Sequence, residues 1–72
     1  GGEAMSKFDM LSEVDWSLRR VKELHQDALL KLQQAMSQND RAMEGYLRGK
    51  ETGLDVALVH LEALYEKIRT EV

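Results

Sequence analysis

The sequence predicts an all-α protein, an antiparallel hairpin of two long helices, and three observations carry that prediction. The 72 residues hold no proline and no cysteine, with 43% apolar and 32% charged residues. Such a composition suits long amphipathic helices better than a sheet or a disordered tail. Two stretches repeat apolar residues at alternating three- and four-residue steps, the spacing that keeps side chains on one helix face. Between them lies Ser37-Gln38-Asn39-Asp40, a polar run of turn-forming residues.

In the first helix, Leu11, Val14, Leu18, Val21, His25, Ala28, Leu32 and Ala35 fill every a and d position of a heptad pattern. Only His25 among them is not apolar, and Leu24, Leu29 and Met36 widen the seam. Ser6 with Asp9, and Ser12 with Asp15, each resemble a capping box in which Asp replaces Glu. Either serine can start the helix, and Phe8 is expected to pack at its beginning.

After the turn, Asn39 or Asp40 can cap a second helix through a side-chain oxygen. Met43, Leu47, Leu54, Ala57, Leu61, Leu64 and Ile68 then resume the heptad phase, with Lys50 as the exception and Tyr46, Leu58, Tyr65 and Val72 beside the seam. Leu and Ile are densest after Gly53, which places the packed part of this helix toward its C-terminus. Gly45, Gly49, Gly53 and Ala57 recur every fourth residue and make a groove without side chains. Each helical glycine costs about 1 kcal/mol against alanine, so the run marks either a close contact with another helix or a weak, bent segment. A break near residues 49–53, with Thr52 and Asp55 capping a new helix, is the rival to a continuous helix from Asp40 to Glu71. The continuous helix is favoured because its length matches the first.

Folding the chain about residue 38 sets Leu32 near Glu44, Leu18 near Leu58, and Leu11 near Tyr65. The end opposite the turn gathers Phe8, Leu11, Trp16, Leu61, Leu64, Tyr65 and Ile68, while alanine, methionine and glycine collect near the turn. Gly1-Gly2-Glu3-Ala4 reads as a cloning remnant (residues 1–4), leaving residues 5–72 as a single helical-hairpin domain. Two helices alone leave half of each wide seam uncovered. The expected remedy is self-association into a four-helix bundle, or docking onto a partner's helices.

Chemistry has little footing in this chain. Without cysteine there is no thiolate nucleophile or ligand, and Ser12, Ser17 and Thr52 have no neighbouring histidine with an orienting acid. His25 and His60 sit several turns apart, without an E-x-x-H spacing, so neither metal nor cofactor is expected. His25 reads instead as a polar seam residue that sets register. The net charge of −3, from 13 acids against 10 bases, argues against a dedicated nucleic-acid binder. Clusters of Arg19, Arg20 and Lys22, and of Arg41, Arg48 and Lys50, keep a nucleic-acid-binding regulatory bundle as the alternative, beside a small phage-type regulatory protein. No apolar run reaches the length of a membrane span, and the absence of cysteine fits a cytoplasmic protein.

The matched heptad arms around a short polar turn resemble the small helical hairpins that dimerise into antiparallel bundles, such as the Rop-type RNA regulators of plasmids. They are also similar in size and pattern to the hairpin co-chaperones of type III secretion needle subunits. The segment YLRGKETGLDVALVHLEAL looks like the C-terminal helix of many small phage and bacterial proteins. These resemblances imply helix packing as the mode of action and transfer no functional residue. The expectation is therefore a non-enzymatic protein–protein interaction module of adaptor, co-chaperone or inhibitor type, acting as a homodimer or obligate subunit. Its partner-binding residues are expected to be Trp16, Leu18, Val21, Gly45, Gly49, Gly53, Ala57, Leu58, Leu61, Leu64 and Tyr65. Trp16, Phe8 and Tyr65 are expected to fill the core, or, if exposed together, to form an anchor patch.

Overall fold

In the computed structural model, residues 6–71 form two antiparallel helices, α1 (Lys7–Ser37) and α2 (Arg41–Thr70), packed against each other as a hairpin. The expectations for residues 1–4, for a start at Met5, and for Val72 lie outside the described residues. Of the two serines, Ser6 begins α1. Its extended backbone points the hydroxyl at the first turn, where Oγ accepts the Asp9 N–H at 3.1 Å. Asp9 also places a negative charge where the helix dipole favours one.

The turn compresses two caps into very few residues. Asn39 takes the left-handed conformation, φ 56°, which an asparagine side chain tolerates better than most. Its N–H then reaches the Met36 carbonyl at 3.2 Å, and the Asp40 N–H reaches back to Ala35 at 2.9 Å. These are the two bonds of a Schellman motif, and they satisfy carbonyls that the end of α1 would leave open. Asp40 then starts α2, its Oδ1 accepting the Met43 N–H at 3.1 Å. One residue thus closes the first helix with its backbone and opens the second with its side chain.

α2 runs unbroken through Gly45, Gly49 and Gly53, so the continuous helix is the one adopted. Thr52 lies inside it rather than capping a new one. Lys67 and Arg69 occupy the last turn, where the dipole favours cations.

The core differs from the expected one. Its fully buried apolar residues are Ala28, Ala35 and Leu47, all in the half nearest the turn. The bulkier open end is only half-buried at Leu11, Leu18, Leu61, Tyr65 and Ile68. The expectation that α2 packs best toward its C-terminus is therefore corrected. Ala28 and Ala35 have little side chain to cover and lie with the buried Leu47, whereas the large side chains of the open end, in a layer only two helices wide, each keep an edge in water. Phe8, expected to pack at the start of α1, is 76% exposed because its heptad e position lies at the edge of the seam. Leu64 and Met43, expected in the seam, are also exposed. α1 turns positions a, d and g inward (Leu24 included), while α2 turns a and e (Leu58 and Tyr65 included), which rotates part of the d row of α2 outward.

The result is a single layer of 54 × 23 × 15 Å with a radius of gyration of 16.5 Å. A compact domain of this length would have a radius of about 11 Å. The hairpin has no second layer to cover its outer faces.

Candidate partner-binding surface

Across the seam, His25 Nε2 donates to Glu51 Oε1 at 2.8 Å, and both side chains are largely covered. His25 occupies position a of α1 and Glu51 position e of α2, equidistant from Gln38 in the chain. The pair therefore matches the register expected from folding about residue 38, as do Leu11 and Tyr65, which line one hollow together. A half-buried polar pair of this kind contributes modestly to net stability but penalises any shifted alignment, which would strand one partner. No sequence signal singled out Glu51 as the partner; only its e position, equidistant with His25 from the turn, pointed there.

The expected partner-binding residues divide into two sets. Leu18, Val21, Ala57, Leu58, Leu61 and Tyr65 are half-buried along the contact between α1 and α2, so much of their surface serves the hairpin itself. Trp16, Leu64 and the three glycines are exposed. Trp16 is 68% exposed at heptad position f, on the side of α1 turned away from α2. It does not fill the core, and it does not join Phe8 and Tyr65 in one patch. Phe8 and Tyr65 line a hollow with Leu11, whereas Trp16 lines a separate one with Ser12 and Glu13.

At Gly45, Gly49 and Gly53 an added Cβ would meet no atom within 4 Å. The groove is thus open, and nothing in the hairpin uses the close approach it permits. Around it lie exposed side chains that the heptad reading set aside or placed in the seam: Met43, Tyr46, Val56, Val59 and Leu64. Positions g and c of α2, outside the intramolecular seam, carried the signal that would have found Tyr46 and Val56.

Three of the six bases that suggested a nucleic-acid surface are engaged along their own helices. Arg19 pairs with Asp15 at 3.0 Å, Arg20 with Glu23 at 3.2 Å, and Arg48 with Glu44 at 2.8 Å. Asp27–Lys31 and Glu66–Arg69 repeat the pattern. Exposed pairs of this type contribute little stability, but they blunt the positive field that phosphate binding requires. The hydrogen bond and charge of Glu66 raise the Arg69 pKa further, leaving that side chain cationic throughout. Among the described residues, no three His, Cys, Asp or Glu side chains assemble into a group that could hold a metal ion. None of the described helices is long and apolar enough to cross a membrane. Comparison with protein-family models, curated proteins and solved structures finds no match to this chain.

Proposed function

We propose that this hairpin is a non-enzymatic protein-interaction module that works by helix packing, with self-association as its primary mode. The carrying observation is surface that the fold leaves uncovered. The chain exposes 5583 Å², whereas a compact monomer of 8.2 kDa would expose about 4,500 Å². The surplus, roughly 1,000 Å², includes Tyr46, Val56, Leu64 and Trp16. Two helices without disulfide or metal also lack the staples on which small domains depend, and a second layer of helices would supply one. The pairing of Arg19, Arg20 and Arg48 with carboxylates favours protein over nucleic acid as the partner. A cytoplasmic site of action fits a module held by packing rather than by disulfides.

Sedimentation equilibrium on the isolated chain tests the reading. A mass rising toward twice that of the chain, with a melting temperature that climbs with concentration, is the expected result. A folded monomer at all concentrations, with a concentration-independent melting temperature, would overturn self-association.

A further inference from the structure

We propose that the outer face of α2, formed by heptad positions c, d and g, is the docking surface for a second copy of this chain, with the two α2 helices antiparallel. The inference rests on the self-association reading above and adds the face and the orientation.

Charge marks this face first. From Ala42 to Lys67 its positions carry no Asp or Glu, although the chain holds 13 acids. The acids of α2 that lie in this span, Glu44, Glu51, Asp55, Glu62 and Glu66, all fall at positions e, b and f. Two copies of a net-negative chain therefore meet with least repulsion here. Lys50 at position d and Lys67 at position g belong to the face, and their long stems can carry the ammonium groups out to its rim.

Exposure agrees with that choice. Tyr46 is 63% exposed and Val56 52%, both far from the contact with α1. The surplus of roughly 1,000 Å² belongs to the whole chain, and it is large enough to supply the ~800 Å² that each partner contributes to an interface of ordinary size.

The face is also complementary to itself. About a twofold axis through Gly53, an antiparallel copy brings Tyr46 opposite His60, Gly49 opposite Ala57, and Met43 opposite Ala63. Tyr46 and Met43 meet smaller side chains, Gly49 with Ala57 leaves room for close approach, and Val56 meets the aliphatic stem of Lys50. Leu64 of the second copy then falls level with Ala42, beside the hollow that Ala35, Met43 and Leu47 line. Gly53 at the axis allows close approach, with no atom of its own chain in the way. An isologous contact of this kind closes at two copies and brings four helices together.

The test compares charge insertions on two faces by sedimentation, with helicity followed by circular dichroism. Val56→Lys, which sets a second ammonium opposite Lys50 of the other copy, and Tyr46→Glu should weaken dimerisation about tenfold or more while helix content persists, and Trp16→Glu and Leu30→Glu should leave the dimer intact. The cysteine-free chain allows a second reading of geometry. Gly53→Cys should form a covalent dimer on mild oxidation, and Trp16→Cys should not. A dimer broken by Trp16→Glu or Leu30→Glu but not by Val56→Lys overturns this face while leaving self-association standing. Dissociation by Val56→Lys without cross-linking at Gly53→Cys overturns the antiparallel arrangement. A wild-type chain that is monomeric throughout overturns both readings.

Discussion

The two halves of the hairpin use opposite means to stay together. Near the turn, Ala28, Ala35 and Leu47 are buried, the His25–Glu51 pair crosses the seam, and a double cap fixes the chain reversal. At the open end the residues are larger, yet Leu11, Leu18, Leu61 and Tyr65 are only half-buried and Phe8 is exposed. Burial thus follows how closely two backbones approach, rather than how much apolar bulk the sequence supplies. Small residues on one helix finish the burial of a large one on the other. Two rows of large residues without a third neighbour each leave an edge in water.

The sharpest way to break this contrast is at Leu47. Leu47→Ala should cost about 3 kcal/mol, enough to unfold most of a hairpin this small, and urea denaturation followed by circular dichroism reads it. Leu61→Ala, in the open half, should cost clearly less, because part of its surface already faces water. Equal losses would mean that the two halves are packed alike. Next is Ala28→Leu, which forces bulk into a residue with 0% exposure and should cost about 1–3 kcal/mol, seen as a fall in melting temperature.

The polar crossing comes third. A double-mutant cycle on His25→Leu and Glu51→Leu should give a coupling of about 1 kcal/mol, with the double variant close to the wild type in stability. A coupling of zero would remove the pair's role in register. Asp40→Ala should cost about 1 kcal/mol through loss of the α2 cap, measured by chemical denaturation. The smallest effect is a gain. Gly45→Ala should add just under about 1 kcal/mol, since the new methyl meets open space and glycine's helical penalty disappears. Its f position lies off the proposed docking face, so the dimer mass should be unchanged.

Much of this architecture was legible before any coordinates. Ser6 with Asp9 was one of two caps the sequence offered for the start of α1, and Asn39 and Asp40 announced the turn. The heptad phase gave both helix faces to within one row. The equidistance of residues about Gln38 gave the pairing that His25 and Glu51 display. The glycine run was ambiguous, because each helical glycine loosens a helix without forbidding it. The unbroken heptad phase across residues 43–68 was the better guide.

The candidate surface was less legible. The sequence pattern placed Leu64 in the seam and Trp16 either in the core or in an anchor patch, took Tyr46 as a flanking residue, and did not single out Val56. A heptad pattern states which residues share a face, but not how far the helix turns about its axis when a real neighbour docks. A rotation of one row moved Leu64 and Met43 outward and brought Leu58 and Tyr65 inward.

What the amino-acid sequence determined by itself is therefore local: two helices, their caps, a left-handed asparagine between them, and the pairing register. Each depends on residues a few positions apart, or on counting from a fixed turn. What only the tertiary structure decided is the rotation of each helix, the place where burial is complete, and the face left open to a second copy. Those depend on both sets of side chains meeting at once, where a methyl on one helix sets the distance at which a leucine on the other can be covered.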